Sequence, residues 1–135
     1  MSTPTPPAAG VTRPRLLVVD DALIMRMRIA AIAREAGWDV AGEAADGAEG
    51  LSRYRELRPD LVTLDIVMPT LDGVETLRSI MAEDPQARVV MVSAVDQRSK
   101  LVECIELGAL DFIVKPFDKP RLTALFERYA GRPPA

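Results

Sequence analysis

The chain has 135 residues, 48% of them hydrophobic, and a formal net charge of −3, which suits one domain with a buried core. No Lys/Arg run stands out, which argues against a dedicated nucleic-acid surface; with no long apolar stretch and no basic-then-apolar leader, a cytoplasmic location away from any membrane is expected. The lone Cys104 excludes an intramolecular disulfide, and the absence of histidine removes His-based catalysis and His metal ligation.

Residues Met1 to Pro14 are rich in Pro, Thr and Ala without an apolar period, and Pro133-Pro134 lie near the other end. Flexible tails are therefore expected at 1–14 and 131–135, around one folded unit of residues 15–130. Leu16 to Val19 is a continuous apolar run, as in a strand buried on both faces, and it ends in Asp20-Asp21. Met25, Ile29, Ile32, Ala33 and Ala36 follow at helical spacing, with Gly37 as the C-terminal stop. Trp38 to Glu43 alternates weakly and predicts an outer strand. Asp46-Gly47 opens a second helix, which must end before Pro59. Leu61 to Leu64 is a third strand ending at Asp65, and a loop then leads to a helix from about Gly73 to Glu83. Val89 to Val92 is a fourth strand ending at Ser93. The next helix is expected to turn Leu101, Cys104 and Ile105 inward and to stop at Gly108. Phe112 to Val114 is a fifth strand ending at Lys115-Pro116. Asp118 caps a last helix carrying Leu122, Leu125, Phe126 and Tyr129 at i, i+3, i+4, i+7.

Five strands alternating with five helices imply a doubly wound α/β fold with a five-stranded parallel sheet covered on both faces. The flavodoxin-like order 2-1-3-4-5 is taken over from known sheets of this size. In that order strands 1, 3, 4 and 5 are consecutive neighbours, about 5 Å apart. Asp20, Asp21, Asp65, Ser93 and Lys115 each follow an apolar strand run, so all five converge on one crevice at the C-terminal sheet edge, where α/β sheets bind ligands. Three carboxylates in one pocket repel each other, and a hard divalent cation resolves this; Mg²⁺ is the usual choice where phosphate is handled. Lys115 is expected to add a mobile positive charge. Such a site suits phosphoryl transfer to a carboxylate, which needs alignment and charge neutralisation rather than a proton shuttle.

The segments Val18-Val19-Asp20-Asp21, Leu64-Asp65-Ile66-Val67-Met68-Pro69, Val92-Ser93-Ala94 and Phe112-Ile113-Val114-Lys115-Pro116-Phe117 resemble the signature of response regulator receiver domains, the stand-alone CheY-like type above all. The resemblance implies that Asp65 is the phosphoacceptor, and that Asp21, Asp65 and the backbone carbonyl of Val67 ligate Mg²⁺ while Asp20 acts mainly through water. It also implies that Ser93 and Lys115 meet phosphoryl oxygens, that Lys115-Pro116 is cis, and that Phe112 is the aromatic switch. Val67 and Val95 are apolar where the best-known member is not, so a slower autodephosphorylation is expected.

Alone, each residue has a plainer explanation: Asp20-Asp21 as a helix cap, Ser93 as a cap for the fourth helix, Lys115 as a surface lysine, Phe112 as ordinary packing, Cys104 as a small buried residue. Their joint placement at successive strand ends favours the site. The function implied is a single-domain switch, not an enzyme beyond its own phosphorylation and autodephosphorylation. It would be charged by a sensor histidine kinase and read by a protein target on the fourth helix, fifth strand and fifth helix, near Lys100, Leu107, Phe112 and Arg121. Chemotaxis or motor control is the first expectation and phosphorelay shuttling the second; a monomer without nucleic-acid or membrane partners is expected. A Mg²⁺-dependent aspartyl-phosphate phosphohydrolase would need an acid where Val67 stands. A flavin or nucleotide carrier would need a phosphate cradle where Asp20-Asp21-Ala22 stands.

Overall fold

In a computed structural model, residues 13–131 are described; of the tails expected over 1–14 and 131–135, residues 1–12 and 132–135 lie outside the described residues. The order is β1 (Arg15–Val19), α1 (Leu23–Glu35), β2 (Asp39–Ala44), α2 (Gly47–Leu57), β3 (Leu61–Asp65), α3 (Gly73–Glu83), β4 (Val89–Ala94), α4 (Arg98–Leu107), β5 (Asp111–Lys115) and α5 (Lys119–Arg128). The sheet is parallel throughout, in the order β2-β1-β3-β4-β5. Pro14 already belongs to the fold, since its carbonyl accepts from the Asp39 amide at 2.9 Å.

Side chains alternate across the sheet, and each face has its own core. Leu17, Val19, Val62, Leu64, Val89 and Met91 pack with Tyr54 of α2, with Leu77 and Ile80 of α3, and with Cys104 of α4. Leu16, Val18, Leu61, Val90, Val92 and Ile113 pack with Ile29 and Ile32 of α1 and with Leu122, Leu125 and Phe126 of α5. The apolar runs of β1 and β4, and of β3 apart from the buried Thr63, thus serve two cores at once, which is why they do not alternate in polarity. Asp46, Asp72 and Asp118 cap α2, α3 and α5 by accepting from the amides of Glu49, Glu75 and Arg121, each worth about 1 kcal/mol. Gly37 and Gly108 take φ of 94° and 110° just beyond α1 and α4, in the left-handed turn that stops a helix.

One expectation on α4 is corrected. Cys104 is buried, but Ile105 is 44% exposed. The inward stripe centres on Cys104, with Leu101 and Leu107 packed against the core on either side. Ile105 lies about 100° further round the helix from Cys104, beyond the reach of that core.

Candidate functional site

Asp20 and Asp21 leave the end of β1, and Asp65 ends β3, its direct neighbour in the sheet. One carboxylate oxygen from each lies within 4.8 Å of the other two; Asp20 and Asp65 are buried and Asp21 is exposed. Lys115 ends β5 and extends over the end of β4. Its Nζ stands 3.0 Å from Asp20 Oδ2 and 3.4 Å from Asp65 Oδ2. The lysine ammonium thus already lies against two carboxylates, a pairing that the sequence spacing does not show.

The electrostatics follow from this crowding. Burial, then the charge of Asp20, pushes Asp65 up to about 6, against the opposing pull of Lys115. Burial alone would lower the Lys115 pKa, but the hydrogen bond to Asp20 and the charges of Asp65 and Asp20 raise it overall. Three carboxylates thus face one ammonium. The donors are all hard oxygens, two of them withdrawn from water and one open to it, so the set fits a hard divalent cation that keeps part of its hydration shell. The acidic pair is not spent on capping: Ala22 is the N-cap of α1, with no side-chain cap bond. Asp20 Oδ1 instead accepts from the Ala22 amide at 2.9 Å, which turns the loop and leaves Oδ2 facing Lys115.

Ser93 lies inside β4, one residue past the Asp65–Val92 pair, and is buried. It does not cap α4, whose N-cap is Gln97. Together with Val95, Leu101, Ile105, Phe112 and Val114 it lines an apolar groove of about 290 Å³ between α4 and the sheet. Phe112 is 44% exposed at the edge of that groove. Val67 and Val95 are both exposed. The Lys115-Pro116 bond is cis, as the resemblance implied.

Two supporting residues escaped the sequence analysis. Gly73 opens α3 so close to the phosphoacceptor candidate that a Cβ there would stand 2.1 Å from the Asp65 carbonyl oxygen, so only glycine fits. The Asp72-Gly73 pair was legible as a helix start, but not as a contact. Arg26 of α1 donates from Nη1 to the Asp20 carbonyl at 2.7 Å and from Nε to Glu43 at 3.2 Å. Arg26 and Arg28 alternate with the apolar Met25, Met27 and Ile29, so nothing in the sequence singles out Arg26.

A family profile described as the response regulator receiver domain matches residues 16–127. The chemotaxis protein CheY of Thermotoga maritima is 47% identical over 108 residues, covering 80% of this chain and 90% of the relative. The CheY of Listeria monocytogenes is 47% identical over 116 residues, 86% and 98% of the two chains. Among solved structures, the CheX–CheY–BeF₃–Mg²⁺ complex of Borrelia burgdorferi aligns with a TM-score of 0.78 at 37% identity, covering 82% of this chain and 84% of that one.

Proposed function

The chain belongs to the response regulator receiver family, and on that premise we propose that it is a phosphoryl-accepting switch in chemotaxis, charged on Asp65 by a sensor histidine kinase. The observation that carries this is the trio Asp20, Asp21 and Asp65, one carboxylate oxygen of each within 4.8 Å of the other two, with the Lys115 ammonium seated on two of them.

Above about pH 6 Asp65 is a carboxylate with an oxygen free to act as nucleophile. It attacks phosphorus while the bond from phosphorus to the donor's imidazole nitrogen breaks. The bonding pair stays on the imidazole, and a mixed anhydride remains on Asp65. Asp20, Asp21, Asp65 and the Val67 carbonyl would hold Mg²⁺, which supplies positive charge to the transferring phosphoryl oxygens when bound. Lys115, released from part of its pairing with Asp65, meets one phosphoryl oxygen, and the Ser93 hydroxyl donates to another. Because Ser93 also lines the groove under α4, its displacement opens a place for Phe112. The surface formed by α4, β5 and α5 then changes for a protein target. The aliphatic Val67 and Val95 keep water poorly placed at the anhydride, and autodephosphorylation is slow.

Intact mass after incubation with Mg²⁺ and acetyl phosphate tests this. One phosphoryl adduct is expected on the wild type and none on Asp65→Asn. An adduct on both proteins, or on neither, would rule out Asp65 as the acceptor.

A further inference from the structure

Helix α1 does more than cover the sheet. Its Arg26 side chain is largely buried, 15% exposed, and ends on the loop that carries two of the three carboxylates. The Asp20 peptide is gripped on both sides: its amide donates to the Ala44 carbonyl at 3.0 Å, and its carbonyl accepts from Arg26 Nη1 at 2.7 Å. The other arm of the guanidinium is fixed by Glu43 of β2 at 3.2 Å. One planar cation thus ties α1, β2 and the β1–α1 loop together, a geometry that a point-charge ammonium cannot reproduce with a single group. The backbone so held is the one from which the Asp20 and Asp21 side chains both leave.

We propose that Arg26 is a positioning residue for the cation site: by holding the Asp20 carbonyl it fixes the two adjacent carboxylates in a shared ligand geometry with Asp65. This rests on the functional assignment above and adds to it a residue that touches neither the cation nor the phosphoryl group.

The charge of Arg26 makes the role separable from simple electrostatics. A guanidinium near the crevice repels a divalent cation, so its removal would tighten Mg²⁺ binding if charge were all that mattered. Loss of position acts in the opposite direction. Residues that orient metal ligands from behind are commonly worth about tenfold to a hundredfold in metal affinity.

The experiment is titration of the full chain with MgCl₂ by isothermal calorimetry, at fixed ionic strength and far below the melting temperature, for wild type, Arg26→Met and Arg26→Lys. The expected result is Mg²⁺ affinity about tenfold weaker in Arg26→Met. Arg26→Lys should fall between the two, since its ammonium meets the carbonyl but gives up the Glu43 arm. An affinity in Arg26→Met equal to or tighter than wild type overturns the proposal, even if the variant melts earlier, because that is what a purely structural staple would give. If circular dichroism shows Arg26→Met unfolded, the Lys variant decides on the same criterion. Absence of Mg²⁺ binding by the wild type would instead bring down the functional assignment itself, and this inference with it.

Discussion

The two helices that flank β5 are attached in different ways. On one face, α5 buries Leu122, Leu125 and Phe126 and starts on a side-chain cap from Asp118. Trp38 adds a ring against Phe126, centroids 5.7 Å apart, and donates from Nε1 to the Phe126 carbonyl at 3.1 Å. Arg88 holds the Tyr129 carbonyl at 2.7 Å, and Lys119 pairs with Glu35 of α1 at 2.6 Å. On the other face, α4 has no side-chain cap bond, fully buries only Cys104, and leaves a groove of about 290 Å³ beneath it. Val102 and Ile105 stay exposed. Local opening free energy follows buried apolar contact and protected hydrogen bonds, so α5 is a fixed wall and α4 the part that can be displaced at low cost. The acidic crevice lies at the ends of β1 and β3; Lys115, on the strand that leads into α5, reaches it, and Ser93 stands on the strand that leads into α4.

The largest expected effect breaks the rigid side. Phe126→Ala removes a fully buried ring and its contact with Trp38, and should cost about 3–5 kcal/mol in urea unfolding. Hydrogen exchange of α5 amides should accelerate with the global transition. If α5 lost protection while the sheet kept its own, the helix would be a separate unit and the contrast with α4 would fail.

The acidic crevice carries a pH-dependent cost. Asp65 has its carboxyl raised from an ordinary 3.8 to about 6 in the folded chain. The folded state therefore binds the proton more tightly than the unfolded state, and stability falls as pH rises from below 4 through about 6. Without metal, Asp65→Asn should be more stable than wild type by about 3 kcal/mol at pH 7.5, shrinking to about 1 kcal/mol at pH 4.5. Paired urea titrations in EDTA at the two pH values check this; a pH-independent difference would mean that the buried charge is not its source. Added Mg²⁺ should stabilise the wild type and leave the variant less affected, by mass action on the folded state.

Much of this was legible in the chain. Buried parallel strands show as uninterrupted apolar runs, and a polar residue that ends such a run must lie at the sheet edge whatever the side-chain details. That is why Asp20, Asp21, Asp65 and Lys115 could be brought together before any coordinates. Caps were readable because Asp46 and Asp118 act on amides three residues away. What was hidden depends on distant partners. The target of Arg26 is a carbonyl on another element plus a carboxylate on β2, and a long flexible side chain carries no sequence mark of where it ends. Gly73 was readable only as the start of a helix, whereas its small size matters because the Asp65 backbone passes beside it. For Lys115, spacing cannot show that its ammonium lies against two acids already.

The smallest expected effect lies on α4 and addresses the one place where helical spacing misled. Leu101, Cys104 and Ile105 share a period that fits an inward stripe, yet only the first two meet the core. Removing the Ile105 side chain beyond Cβ takes away apolar surface that is already 44% exposed, so Ile105→Ala should change stability by less than about 0.5 kcal/mol. Cys104→Ser is the matched perturbation one residue earlier. There a hydroxyl would replace a fully buried thiol whose pKa burial pushes up to about 11, and a buried hydroxyl without a partner costs about 1–3 kcal/mol. Urea midpoints for the two variants should therefore differ clearly although the residues are adjacent. Equal losses would mean that Ile105 does pack inward in solution, and the groove beneath α4 would be correspondingly more closed than the geometry gives.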